Sequence, residues 1–443
     1  MAEQPYATRE EFNSIGKSGL IRKDGLEKAS GKGLFTRDIY LPGMLIAKTF
    51  SSPYAHAMIK SLDTSKAEAL PGVHAILRYD DPELALEAES SGSWTWARQY
   101  QHPLNQIAHW AGAEIGFAIA AVDEQTVDEA MELVDIEWEV LPHEIDYMES
   151  LKDGTILEAH RDSETNIRYQ RSEESPNGVQ GDVEAGFAEA DHIVDFTYKD
   201  EEDVWAGVEA LSCVAVWKGE HLDIWVHNQT PNPAQLRLAG YHASSAVGYL
   251  MRVNPAEGAY SPANKINVHS VYQGGQFGGP NWNQWYCNYP LLAAWLSKRA
   301  NKPVKHLCDR SHFINRGYDE ATHNMSVGFK NDGTITAITS QDFGSTVDLP
   351  FKVGKGTSVA NIRNYTTVCY INKGPSSCYR HGMKESGGLN LPFSIVAGEL
   401  GVPMTEIALK NNGCKGHSLE WVNENVKAEF GWTRDSHRMY CYS

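Results

Sequence analysis

The stretch Val271-Tyr272-Gln273-Gly274-Gly275-Gln276-Phe277-Gly278-Gly279-Pro280 sets four glycines between two runs of different pattern. Upstream, Ile266, Val268, Ser270 and Tyr272 alternate as a half-buried strand does; downstream, Trp282 to Trp295 is aromatic with helical character. Glycines delivered by a strand into a tight loop permit positive φ and bring backbone N–H groups close to a bound group, with Phe277 walling one side. The spacing matches neither G-x-G-x-x-G nor G-x-x-x-x-G-K-S/T, so the two common phosphate-binding glycine loops are not supported. Alone, the loop reads as readily as a plain turn as it does as a ligand cradle.

At 443 residues the chain has room for about two to three domains of roughly 100–200 residues. Its 57 acidic against 39 basic residues give a net charge of −18. That balance argues against nucleic acid and anionic membrane surfaces and leaves a small molecule or a protein as the expected partner. No window approaches the ~18 unbroken apolar residues of a membrane span. Met1-Ala2-Glu3-Gln4-Pro5 lacks the features of an export signal, so a cytoplasmic protein is expected. Seven cysteines, at 213, 287, 308, 369, 378, 414 and 441, form no C-x-x-C pair and no run at zinc or iron–sulfur spacing. Buried free thiols in a reducing compartment are the expectation. There is no H-E-x-x-H among the 17 histidines, and no G-x-S-x-G from which a serine-hydrolase reading could start.

Outward from the loop, short strands and helices mix in the manner of an α+β chain. Residues 1–20 form a polar lead-in, and a first domain spans 21–146. In it, Leu41-Pro42-Gly43-Met44 turns into the apolar run Leu45 to Phe50. Met58 to Leu62 is a strand, followed by a short helix capped by Asp63 or Thr64, the stop Pro71-Gly72, and the strand Val73 to Leu77. Beyond a tryptophan-bearing connection over 82–110, Ile115 to Val122 is an apolar strand. Asp123 then starts a helix with Val127, Ala130, Met131 and Val134 on one face, and Ile136, Trp138 and Val140 alternate as a strand. This strand–helix–strand unit closes at Leu141-Pro142.

The charged segment 147–180, with Pro176-Asn177-Gly178, reads as a linker to a second domain over 181–443. That domain opens at Gly181-Asp182-Val183-Glu184. A hairpin carries Leu211, Cys213, Ala215 and Trp217, then Leu222, Ile224 and Val226, and feeds His227-Asn228-Gln229-Thr230-Pro231. Past the glycine loop come a helix to Asn301, a strand around Val304–Leu307 and a hairpin turning on Asn331-Asp332-Gly333. Cys378-Tyr379-Arg380-His381-Gly382 precedes a helix with Phe393, Val396, Ala397 and Leu400 on one face. On spacing alone, Gln229 reads first as a turn residue and Arg380 as a surface ion-pair partner.

Four blocks change that weighting. Gly33 to Asp38, Leu41-Pro42-Gly43-Met44-Leu45, Ser52-Pro53-Tyr54-Ala55-His56-Ala57 and Pro71-Gly72-Val73 form the first, which Gly112 to Pro142 closes. Gly181-Asp182-Val183-Glu184-Ala185-Gly186-Phe187 with Gln229-Thr230-Pro231 is the second, Gly274 to Gly279 the third, and Tyr379-Arg380-His381-Gly382 the fourth. In this order they resemble the molybdenum-binding part of the xanthine dehydrogenase/aldehyde oxidase family, the molybdenum hydroxylases. The resemblance runs over about residues 20 to 412. It implies an N-terminal α/β-hammerhead domain followed by the first half of a molybdopterin-binding domain, with Gly274 to Gly279 where the family has a GGGFGG loop.

The resemblance further implies a molybdopterin cofactor, in the simple or the cytosine dinucleotide form, whose molybdenum is bound by the pterin's dithiolene sulfurs and not directly by this chain. Gln229 would face an oxygen ligand of the metal. The backbone at Gly275, Phe277 and Gly278 would approach that ligand and the pterin, and Arg380 would sit beside the metal. An amide and backbone N–H groups hydrogen-bond oxygens without supplying an ionisable competitor, and a guanidinium stays charged as electron density moves. Substrate contacts would fall to Asn281, Trp282 and His381. Purine-oxidising members carry a glutamate four residues after the loop phenylalanine; Asn281 stands there, which argues against a purine. Trp282 and Trp285 would offer a flat aromatic slot, although a single tryptophan is more often plain core. The cationic substrate residue of purine members has no match, Lys352 being nearest in order, and Gln276 replaces the middle glycine of the triplet.

The later pterin-binding segment and the catalytic glutamate of the family have no counterpart here. A split form similar to the large molybdopterin subunit of nicotinate dehydrogenase is therefore expected, with no catalytic residue in this chain. A second molybdopterin-domain subunit would complete the pocket and bring the base, and other subunits would carry 2Fe–2S clusters and FAD. The reaction implied is hydroxylation of an N-heteroaromatic, an aldehyde or an activated aromatic with oxygen from water, the electrons leaving through the partners. Reductive dehydroxylation, a redox-neutral hydratase and a non-catalytic structural subunit are the alternatives on the same scaffold.

Overall fold

The computed structural model describes residues 22–82, 84, 104–152, 154–155, 165–171, 177–200, 203–204, 207–228, 265–275, 289–310, 317–318, 320–345, 357–374 and 383–411. Its first strands are β1 (Leu45–Ser51), β2 (Ala57–Asp63), β3 (Val73–Arg78), β4 (Ile107–Ala108), β5 (Glu114–Ala121) and β6 (Asp135–Val140). Next come β7 (Ile167–Arg171), β8 (Asn177–Gln180), β9 (His192–Asp200), β10 (Asp203–Val204), β11 (Ser212–Lys218) and β12 (His221–Val226). The last are β13 (Ile266–His269), β14 (Val304–Leu307), β15 (Gly317–Tyr318), β16 (Ala321–Phe329), β17 (Ile335–Gly344) and β18 (Asn361–Cys369).

One sheet has the order β13-β12-β11-β14-β1-β5-β3 and so draws strands from both sides of residues 147–180. Its seam is the parallel pair β1–β14, with Leu45 opposite Val304 and Ala47 opposite His306. All eight residues of β5 are buried because both faces of the sheet are covered there. Ala118 and Ala120 face a core shared with the helix Tyr289–Ala300. Ile115, Phe117 and Ile119 face a second core, built with the small sheet β4-β2-β6 and the helix Glu124–Glu132. A strand buried on both faces is written as an unbroken apolar run, which is why Ile115 to Val122 lacks alternation. Phe117 stacks on Phe50 with centroids 5.1 Å apart, and burying a ring of this size stabilises by ~1.5–3 kcal/mol.

Asp123 caps the helix Glu124–Glu132 by accepting the Thr126 N–H at 2.8 Å, an interaction of about 1 kcal/mol. The elements of the expected strand–helix–strand unit are present, but they belong to different layers. The helix covers the core below β5 and returns the chain to the small sheet, where β6 pairs with β2.

A second large sheet has the order β7-β18-β17-β16-β9, with β8 also on β18. The helices Met383–Leu400 and Met404–Asn411 pack on one face through Phe393, Val396, Ala397, Ile407 and Ala408, against Met325, Val327, Ile338 and Ile362. The β16–β17 hairpin turns where Asn331-Asp332-Gly333 predicts. Gly333 has φ +84° and donates to the Lys330 carbonyl at 2.8 Å, and a methyl there would lie 2.5 Å from Ile407 Cδ1. Asn411 locks the turn, donating to the Gly333 carbonyl and accepting the Ile335 N–H, each at 2.8 Å.

Further along the same face the side chains become polar. His323 Nδ1 lies 2.8 Å from Asp342 Oδ1, and Ser340 and Asn364 donate to the same carboxylate. Tyr198 stacks on the His323 ring at 5.3 Å. The segment expected as a linker contributes the helix Tyr147–Ser150, with both end residues buried, and strands β7 and β8, which pair with β18. Among the described residues no helix is long and apolar enough to cross a membrane.

Candidate functional site

Strand directions bring three separate segments to one end of the seven-stranded sheet. β12 and β13 run parallel, Leu222 opposite Ile266 and Trp225 opposite His269, so both leave the sheet at the same end. β11 runs antiparallel to β12, Cys213 opposite Val226, which returns the residues before β11 to that end. Glu209 precedes β11, His227 and Asn228 follow β12, and Gln273, Gly274 and Gly275 follow β13.

Hydrogen bonds tie these segments together. The Gln273 side-chain amide donates to the Asn228 carbonyl, one residue before Gln229. Gly274 N–H donates to Glu209 Oε2 at 2.8 Å, and Glu209 N–H donates back to the Gly274 carbonyl at 3.3 Å. Glu209 Oε1 accepts Thr36 N–H at 3.2 Å. Burial pushes the Glu209 carboxyl up from its ordinary range, against the pull of the Gly274, Thr36 and Arg37 N–H groups. His227, fully buried, has Nδ1 3.7 Å from Glu209 Oε2. Burial lowers its pKa to about 4, so at neutral pH the ring is uncharged and the contact is not an ion pair.

The two glycines meet different needs. A methyl on Gly274 would lie 2.4 Å from Glu209 Cβ, so only glycine permits that approach. Gly275 has φ +103°, where a side chain would be strained. The first sequence block backs the loop from the other side. Tyr272 N–H donates to the Leu34 carbonyl at 3.3 Å, Phe35 bridges Tyr272, and a methyl on Gly33 would meet the Tyr272 ring at 2.7 Å.

Of the residues expected at the site, Gly275 is described and stands at the end of this arrangement. Gln229, Phe277, Gly278, Asn281, Trp282, Arg380 and His381 lie outside the described residues, as do Gln276, Trp285 and Lys352. Their flanks are described: Asn228 is held by Gln273, and the helix Met383–Leu400 begins directly after Gly382. Sequence reasoning missed Glu209 and Gln273. A single acid in the small, apolar run Ala206-Gly207-Val208-Glu209-Ala210-Leu211, leading into a buried strand, was the available signal.

Residues 30–142 match the a/b hammerhead domain of aldehyde oxidase and xanthine dehydrogenase, and residues 160–411 match the molybdopterin cofactor-binding domain. The chain belongs to the xanthine dehydrogenase/aldehyde oxidase family. Among its relatives, the nicotinate dehydrogenase large molybdopterin subunit of Eubacterium barkeri is 28% identical over 342 residues, covering 76% of this chain and 71% of that protein. The nicotine 6-hydroxylase large subunit of Paenarthrobacter nicotinovorans is 28% identical over 232 residues, 51% of this chain and 27% of that protein. Quinoline 2-oxidoreductase from Pseudomonas putida 86 shares the fold, with a TM-score of 0.73 at 21% identity over 93% of this chain and 54% of that one. The chain spans about half the length of several curated relatives that it matches. Within the family's architecture, the Gly33–Phe35 segment that backs the loop belongs to the hammerhead match, and the loop itself to the molybdopterin-binding match.

Proposed function

We propose that this chain is the molybdenum cofactor-binding subunit of a multi-subunit molybdenum hydroxylase acting on an N-heteroaromatic, aldehyde or activated aromatic substrate. The observation that carries this reading is the close-packed glycine pair at the sheet end. Gly274 packs directly on Glu209 and fixes the loop, and Gly275 beyond it takes a left-handed backbone, which suits a main chain shaped to approach a bound group. We divide the chain into a hammerhead domain over 21–146, a connection over 147–180 and the molybdopterin-binding domain from 181.

When bound, the molybdopterin centre supplies a two-electron oxidation that uses oxygen from water. The chain's own part is to hold and orient it. Backbone N–H groups at Gly275, Phe277 and Gly278 and the Gln229 amide donate hydrogen bonds without an ionisable proton, while Arg380 keeps a fixed positive charge nearby. Asn281, Trp282 and His381 face the substrate, with Asn281 offering hydrogen bonds where a carboxylate would demand a charged or protonated ring. A second molybdopterin-domain subunit brings the base, and 2Fe–2S and FAD subunits carry electrons away. The assembly works in the cytoplasm, in keeping with Cys213, Cys308 and Cys369, buried thiols that form no disulfide among the described residues.

The test is to purify the chain with its native partners and assay molybdenum, pterin, iron and flavin. Molybdenum, pterin and iron in fixed ratio to the chain are expected. Molybdenum and pterin without iron would replace the hydroxylase by a redox-neutral hydratase, and absence of both metal and pterin would leave a structural subunit.

A further inference from the structure

We propose that Glu209 is a positioning residue that fixes the glycine loop between the end of β12 and the hammerhead turn at Thr36–Asp38. The consequence for the cofactor rests on the function proposed above; the positioning itself does not. The two Glu209 carboxylate oxygens serve different segments. Oε2 takes the Gly274 N–H and Oε1 the Thr36 N–H, and the Glu209 main chain closes a reciprocal bond with the Gly274 carbonyl. Gly274 and Glu209 thus form a matched pair: the glycine lets the two backbones touch, and the carboxylate holds them there. The far side of the turn is fixed as well, because buried Lys305 of β14 donates to the Arg37 carbonyl at 2.8 Å. Gln273, the neighbour of Gly274, ties the loop to the Asn228 carbonyl.

A carboxylate with an exposure of only 7% is costly to hold charged unless its lone pairs are all used, and here both oxygens accept from main chain. A core anchor would have been served by an apolar side chain of the same volume. An acceptor with two oxygens is needed only if two N–H groups from distant segments must be held at once. Glutamine at 209 has the same shape but offers one acceptor oxygen and an N–H2 group, so it must release Gly274 or Thr36.

The experiment is hydrogen exchange, resolved to single amides, on the full chain and on its Glu209→Gln variant. Loss of a charge-assisted bond should raise exchange at Gly274 or Thr36 on the order of tenfold to a hundredfold, with β16 and β17 amides unchanged. Unchanged exchange at both Gly274 and Thr36 in a folded variant would overturn the proposal. Should the variant not fold, the unsubstituted chain decides: a Gly274 amide exchanging at the rate of an unstructured peptide contradicts the clamp, and strong protection supports it. In the native complex, Glu209→Gln should lower pterin content severalfold, and Gln273→Ala should lower it less. If the unsubstituted complex holds no pterin, the proposed function falls while the exchange result still judges Glu209.

Discussion

Asp342 and Glu209 are both carboxylates withdrawn from solvent, yet their hydrogen bonds go to different kinds of group. Asp342 lies within the six-stranded sheet and bonds to side chains of that sheet: His323, Ser340, Asn364 and, at 3.5 Å, Thr366. Glu209 lies at the open end of the seven-stranded sheet and accepts main-chain N–H groups from Thr36 and Gly274, which are far apart in sequence. The first arrangement joins neighbouring strands and serves the stability of one sheet. The second sets the relative position of loops and serves the shape of a site. A buried acid is therefore informative chiefly through what it bonds to, since burial alone is common to both.

The largest effect should come from breaking the sheet cluster. Asp342→Ala leaves His323 and Asn364 without their buried acceptor and should cost about 3–5 kcal/mol in denaturant unfolding. Protection of the Gly274 amide should persist wherever this variant is still folded, and its loss there would erase the distinction between the two acids.

Acidification should act next. Burial holds His227, beside Glu209, and His109, in the hammerhead core, at pKa values of about 4, below the ordinary 6.5. Between those values each imidazole carries fewer protons folded than unfolded. Their contribution is whole above pH ~6.5 and is lost as the pH falls toward ~4, on the order of 3 kcal/mol per histidine. His109→Gln should flatten that limb of a stability-against-pH curve by its share; an unaltered limb would show that the ring titrates normally.

The smallest effects should be gains. Ser212 Oγ near the loop and Thr336 Oγ1 in the six-stranded sheet are buried with no hydrogen-bond partner among the described residues. Ser212→Ala and Thr336→Val each remove an unsatisfied hydroxyl and should raise stability by up to about 1 kcal/mol. A loss at Ser212 alone would mean that its hydroxyl serves the loop end in the assembled protein.

The same contrast explains what the sequence disclosed. β14 reads directly from Val304 to Leu307, and the Asp123 cap and the Asn331-Asp332-Gly333 turn stand where their residue types put them. β18 escapes such a reading because its inward positions, Ile362, Asn364, Thr366 and Val368, are half polar. Hydropathy alternation vanishes where Asp342 supplies the hydrogen bonds that allow Asn364 and Thr366 to be buried. The pairing of β6 with β2 was likewise hidden, since periodicity reports which face is buried and not which sheet receives it. At the site, glycine spacing marked the loop, while Glu209 stayed unseen because its role depends on Thr36 and Gly274, which only the fold brings together.

Diffraction from crystals of the native complex, recorded on either side of the molybdenum absorption edge, tests the central claim most directly. A molybdenum peak beside the Gly275 end of the loop is the expected result. A peak remote from that loop, or none in a complex that contains this chain in full, would contradict it.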